Sequence, residues 1–220
     1  MPYMLRAGLS FCAVEDRLLF LDLPADRYFC LSRAAESAFT HLYRGARLEP
    51  GDRTRLAGLA RATLLVESDG AIPIAPCPAP PTAVASLLDS GIDRAHPLDL
   101  SLALLHLSAV RIELRLAGFA RSIARLRRRK ARRNAHPRCD RVAAIATAFD
   151  AAGAFVSAHD RCLPRAIAIT HRLLALGVMP DLVVAVQLAP FQAHAWVQWR
   201  DVLVNERVEV ARQFTPILVV

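Results

Sequence analysis

"DLVVAVQLAPFQAHAWVQW", residues 181–199, carries two runs separated by Ala189-Pro190, and in each the apolar side chains recur with a period near two. That period makes two strands, and the proline between them makes their connection a turn. A tight turn near Arg200-Asp201 and a third run, "VLVNERVEV" at residues 202–210, extend the pair into an antiparallel sheet. The uncharged stretch Leu182–Trp199 approaches the length of a membrane span, but Gln187, Pro190, Gln192, His194 and Gln198 interrupt it, and it reads as paired strands. Upstream, "SAHDRCLPRAIAITHRLLALG" at residues 157–177 has helical spacing and stops at Gly177. The order is helix, then antiparallel sheet.

Two residues in this region carry chemistry. Pro164 is tolerated only in the first turn of a helix and Asp160 suits an N-cap, so Cys162 falls at the helix N-terminus, where the helix dipole favours a thiolate. His194 stands on a strand between two alanines, and a sheet packed on that helix would bring its imidazole to the sulfur, as in cysteine hydrolases and transglutaminases. A third group should orient the imidazole from the chain beyond the turn, where Asp201, Asn205 and Glu206 are the candidates. Alone, a buried cysteine is a small core hydrophobe and a buried histidine a satisfied core residue; the joint placement is what points to catalysis. A zinc site of His159, Cys162 and His194 is disfavoured, because "HDRC" lacks the acid and second cysteine of the deaminase pattern and no further ligand pair stands out.

Ahead of this region, residues 98–133 are Leu- and Ala-rich, free of proline and helical in pattern, and "CDRVAAIATAFDAAGAF" at 139–155 is a further apolar helix. "IPIAPCPAPPT", residues 72–82, has five prolines in eleven positions and is predicted to be an extended linker and a domain boundary. Before it, "LSFCAVED", "RLLFLDL" and "RYFCL" read as three short strands, with turns at Glu15-Asp16 and Pro24-Ala25-Asp26. "SRAAESAFTHLYRG" is a helix opened by Ser32 as N-cap and closed at Gly45. A second helix is predicted from about Asp52 to Ala62, then a weakly strand-like "ATLLVES" and a turn at Asp69-Gly70.

The net charge of +8 is not spread along the chain. Residues 121–141 alone hold ten Lys/Arg and one acid, a net of +9, which leaves −1 for the remainder. The segment reads first as a solvated helix end and loop, then as a contact for an acidic face on a partner protein or for an anionic lipid surface; no aromatic residue interleaves with its arginines, which disfavours nucleic acid. Five scattered cysteines without a CxxC pair indicate neither a disulfide framework nor a zinc ribbon. The N-terminus lacks the basic start and apolar run of a signal peptide, so a cytoplasmic setting is expected.

"RCLPRAIAITHRLLALG", "DLVVAVQLAPFQAHAWVQW" and "VLVNE" together resemble the leader peptidases of lasso peptide biosynthesis, often called B proteins, whose C-terminal half is transglutaminase-like. That family's motif "PF.AHAWVE" meets "PFQAHAWVQ" at residues 190–198, with Gln198 in place of the glutamate. The resemblance puts the family's catalytic cysteine on Cys162 and its histidine on His194. The family's aspartate stands twelve residues after the histidine, where this chain has Glu206, with Asp201 the runner-up. "RLLFLDLPADRYFCLSRAAESAFTHL", residues 17–42, is similar to the small leader-recognition domain of the type found in pyrroloquinoline quinone biosynthesis, which binds a leader as an added strand. The edge carried over is Arg27, Tyr28, Phe29, Cys30 and Leu31, with Tyr28 and Cys30 on one face and Phe29 and Leu31 on the other, the latter face suited to core packing.

The resemblance implies an α+β protein: a small winged-helix-like leader-recognition domain of three strands plus helices at 1–72, a proline-rich linker at 73–84, and a transglutaminase/papain-like helix-plus-antiparallel-sheet peptidase domain at 85–220. It implies a cysteine peptidase that removes the leader from a ribosomally made lasso peptide precursor. The expected partners are that precursor and an ATP-dependent, asparagine-synthetase-like cyclase. No cofactor or metal is expected, and the chain has no phosphate loop of its own, so ATP use would belong to the cyclase. Two other classes stay open: a non-catalytic carrier that delivers precursor, and a thiol acyltransferase of transglutaminase type, since the same triad serves all these transfers.

Overall fold

In the computed structural model, which describes residues 3–68, 73–89, 94–132, 139–155 and 162–220, the chain divides at Pro78 into two units, Met1–Pro78 and Ala79–Val220. The protein is α+β. The first unit opens with β1 (Tyr3–Leu5) and a meander of β2 (Leu9–Val14), β3 (Arg17–Asp22) and β4 (Arg27–Cys30). Helices α1 (Arg33–Tyr43) and α2 (Asp52–Arg61) follow, and β5 (Leu65–Glu67) returns to pair antiparallel with β1. Three residues are too few for an alternation to register, so β1 is defined by its pairing alone and is not legible in the sequence.

Register makes the core of this unit aromatic. Phe11 lies opposite Phe20, and Phe20 opposite Phe29, so one face of the meander carries a stacked row with ring centroids 5.5 and 5.4 Å apart. α1 lays Phe39 edge-on to Phe11 and Phe20 at 5.1 and 5.2 Å, a geometry worth about 1 kcal/mol per pair beyond burial. Buried Glu36 of α1 accepts from the Arg17 side chain (2.9 Å) and the Leu18 N–H (2.5 Å). A carboxylate removed from water is stable only with such donors in place, and this one fixes α1 on the sheet. Ser32 caps α1 by accepting from the Ala35 N–H.

The second unit begins with β6 (Ala85–Ser86) and α3 (Pro97–Ala131), a helix broken at Gly118. With φ 78° and ψ 170°, Gly118 occupies a region essentially reserved for glycine, while nothing crowds its Cβ position. The unbroken helix expected over 98–133 is therefore two helical segments, and the Glu113–Arg125 ion pair (3.2 Å) spans the break. A 3-10 turn at Cys139–Arg141 leads into α4 (Val142–Gly153), and α5 (Cys162–Ala175) follows. Asp160, His159 and the turn at Asp69-Gly70 lie outside the described residues.

Beyond α5 come β7 (Asp181–Gln187), β8 (Gln192–Trp199), β9 (Val202–Leu203), the short helix α6 (Val208–Ala211) and β10 (Thr215–Val219). The sheet order is β10-β7-β8-β9-β6, antiparallel except for β6 beside β9. α5 packs on β7 and β8, and α3 and α4 pack against α5. The third strand expected over 202–210 is cut short after Leu203. The reason is Asn205: its buried side-chain oxygen accepts from the Val197 N–H at 2.7 Å, taking the place of a strand carbonyl, and the chain bends away.

Part of the arginine-rich run is bound to its own domain. Lys130 pairs with Asp181 at 2.7 Å, and the Arg129 guanidinium donates to His171 Nδ1 at 2.8 Å. Burial, with Arg129, Arg125 and His106 adding to it, pushes His171 down to about 4, so at neutral pH it is an uncharged acceptor.

Candidate active site

Cys162 is the first residue of α5, and Pro164 occupies the third helical position, where no intrahelical N–H partner is lost. Its sulfur is contacted by the His194 imidazole and by the backbone N–H groups of Ala195 and Leu163. β8 supplies both His194 and the Ala195 N–H, so the packing of α5 on β8 is what assembles the pair. His194 Nε2 meets Glu206 Oε2 at 2.5 Å, which leaves Nδ1 for the sulfur. Glu206 stands on the bend made by Asn205, and its other carboxylate oxygen accepts from the Arg207 N–H at 2.8 Å. The structure brings Cys162, His194 and Glu206 together. Asp201 instead lies exposed in the β8–β9 turn, engaged through its carbonyl by the Val84 N–H at 2.9 Å.

The electrostatics follow from that geometry. Burial works against a charged Cys162, but the imidazole contact and the two backbone N–H groups outweigh it and hold the thiol below its ordinary value. Burial likewise opposes a charged His194, yet hydrogen bonds to Cys162 and Glu206 and the carboxylate's charge raise it to about 9. For Glu206, burial is overcome by His194, the Arg207 N–H and the nearby Arg165 charge, and its carboxyl is held below the usual range. The contacts favour a thiolate facing an imidazolium, with the carboxylate on the far side of the ring. Cys12 shows the opposite case: burial, with Cys77 and Cys30 nearby, pushes its thiol up to about 12, which suits a core residue and not a nucleophile.

Four further residues support this constellation through contacts that are not legible in the sequence. Ser86 is buried on β6, and its hydroxyl donates to the Glu206 carbonyl at 2.7 Å while accepting from the Leu88 N–H. Arg165, one turn beyond Cys162, pairs with Asp150 of α4 at 2.8 Å and places its charge near Glu206. The Phe214 ring lies 5.2 Å from the imidazole and shields it. Buried Gln198 donates from one amide nitrogen to the carbonyls of Pro81 (2.6 Å) and Arg200 (2.7 Å), tying the end of the proline-rich stretch to β8. Sequence separation hides these links; Ser86 and Glu206 are 120 residues apart.

Gln198 also explains a departure from the resembled motif. Its NH2 group faces two acceptors, so a glutamate at this position would stay protonated or lose both bonds. Gln198→Glu is expected to cost about 1–3 kcal/mol of stability at neutral pH, the range for buried carbonyls left unpaired, with partial recovery in acid; urea unfolding at two pH values measures it.

In the first unit, β4 is an edge of the β2-β3-β4 sheet, and no described strand pairs with its outer side. Arg27 places its guanidinium 5.2 Å from the Phe29 ring centre, Phe29 packs on the aromatic core, and Leu31 is buried beneath. Tyr28 and Cys30 are half-buried on the opposite face. Among the described residues, no three His, Cys, Asp or Glu side chains gather in a metal-binding arrangement, and no helix is long and apolar enough to cross a membrane.

Searches of curated proteins and of solved structures return no match. Residues 104–219, from within α3 to the end of β10, match the family model described as "Transglutaminase-like superfamily", and they are more than half of the chain. That span contains Cys162, His194 and Glu206 and the helix and sheet that join them, and the superfamily's chemistry is that of cysteine peptidases and acyltransferases: the chain belongs to the transglutaminase-like superfamily.

Proposed function

We propose that this protein is a cysteine peptidase that removes the leader from a ribosomally made lasso peptide precursor, working with an ATP-dependent, asparagine-synthetase-like cyclase. The observation that carries the reading is the contact of Cys162, His194 and Glu206 within the motif "PFQAHAWVQ". The open edge of β4 supports the second half of it, because an extended leader can add there as a strand through main-chain hydrogen bonds. Holding the leader on one unit raises the effective concentration of the scissile bond at the other.

In the proposed mechanism the Cys162 thiolate attacks the carbonyl of the last leader residue. The oxyanion is met by the backbone N–H of Cys162 at the start of α5, which has no carbonyl partner within the helix. The His194 imidazolium gives its proton to the departing core amine, and the leader stays on sulfur as a thioester. The now neutral imidazole takes a proton from water, hydroxide adds to the thioester, and the leader carboxylate is released with the thiolate restored. Glu206 holds the ring and its charge throughout.

The test is mass spectrometry of precursor incubated with the protein, with and without the cyclase and with added primary amine. The expected products are free leader acid and a core with a new N-terminal amine. Amine-capped leader in place of the acid would make the protein a transferase, and intact precursor that still binds would make it a carrier.

A further inference from the structure

We propose that the outward face of α3 docks an amphipathic, acid-flanked helix of a partner protein. The inward face of α3 before the glycine break is apolar as a core helix requires, with Ala103, Leu107 and Val110 buried. A second apolar stripe runs on the opposite side: Leu98, Leu102, Leu105, Ala109, Ile112 and Leu116, spaced alternately by four and three residues. That alternation is the seam of a coiled coil, in which each side chain seats among four of a facing helix. The side chains stand in solvent, with Leu98 69%, Leu105 62%, Ile112 57% and Leu116 79% exposed. The stripe is about 27 Å long at ~1.5 Å per residue, and apolar side chains gathered on one face mark a contact surface in a way that scattered ones do not.

Charge decides what covers it. On one flank lie Arg111 and Arg115. On the other, the only acids, Asp99 and Glu113, are held by Arg141 (2.7 Å) and Arg125 (3.2 Å). Beside Leu98 and Leu102 opens a groove of about 770 Å³ lined by Arg94, Arg141 and Arg172. Among the described residues, Arg94, Arg111, Arg115 and Arg172 have no carboxylate partner. With its carboxylates neutralised in ion pairs and four arginines unpaired, the surroundings of the seam are net basic. A second copy of this chain would bring the same net positive charge and only carboxylates already held by Arg141 and Arg125, whereas a helix with glutamates beside its leucines meets the unpaired arginines with complementary charge.

The experiment titrates the full chain into a fluorescein-labelled helical peptide of about 20 residues with leucines at the alternating spacing and glutamates on both flanks, followed by anisotropy. A peptide with lysine flanks is the control, and sedimentation equilibrium of the protein alone runs beside it. The acid-flanked peptide is expected to bind at least about tenfold more tightly than the lysine-flanked one, and to weaken as salt shortens the screening length. The double variant Leu105→Glu, Ile112→Glu is expected to lose at least about fiftyfold in affinity, two charges being set into an apolar seam, while keeping the wild-type circular dichroism and melting temperature. Equal binding of both peptides, or binding of neither, overturns the proposal. So does a wild-type dimer that the double variant dissociates, since the seam would then belong to a second copy.

Discussion

Cys162→Ala is expected to abolish cleavage of a leader–core peptide, a loss on the order of a million-fold, while leader binding stays unchanged. The size follows from removing the only atom that forms a bond to the substrate: what remains is the rate supplied by orientation and oxyanion contacts alone, as when a hydrolase loses its nucleophile. Binding should persist because the open edge of β4 belongs to the other unit, Met1–Pro78. Stability should change little. Cys162 is only partly buried, and alanine at the first position of a helix costs little. Isothermal titration with leader and single-turnover cleavage on the same sample separate the two effects.

Glu206→Gln is expected to lower kcat by about a hundred- to ten-thousandfold and to narrow the pH range of activity from both sides. The wild-type imidazole is raised to about 9, so activity falls as pH rises through about 9 and the proton for the leaving amine is lost. On the acid side it falls where the thiolate is protonated, which lies below the ordinary thiol value because of the imidazolium. An amide keeps a hydrogen bond to the ring but not the charge, so the imidazole falls back toward its usual value and the thiol rises toward its own. The alkaline limit should move down and the acid limit up. Glu206→Asp keeps the charge on a side chain one methylene shorter, and with the backbone held by Ser86 it cannot follow; it is expected to fall between glutamine and wild type. Profiles of kcat against pH for the three proteins check the order.

What could be read from the sequence is what short-range physics writes there. Alternation in 181–199 marks β7 and β8, Pro164 marks the start of α5, and the aromatic meander of the first unit follows its turns. The turn after β8 leaves Asp201, Asn205 and Glu206 open as the third group, and only the resemblance, whose aspartate stands twelve residues after the histidine, singles out Glu206. The rest is decided by contacts distant in sequence. β10 contains Pro216, which disqualifies an interior strand but is tolerated on the sheet edge where β10 lies, with a register shift at that point. Asn205 ends β9 by substituting its side chain for a backbone carbonyl, and Gly118 breaks α3 through a backbone angle that a Leu- and Ala-rich pattern conceals. Ser86 lies outside the matched residues 104–219 and still holds the backbone of Glu206.

The most direct measurement is acid-quenched intact-protein mass spectrometry during the first turnovers with precursor, followed by peptide mapping. The expected result is a transient adduct equal in mass to the leader acyl group, on the peptide that contains Cys162, absent from Cys162→Ala and decaying to free leader acid. Cleavage without an adduct on that peptide, or cleavage that persists in Cys162→Ala, would contradict the assignment of Cys162 as nucleophile.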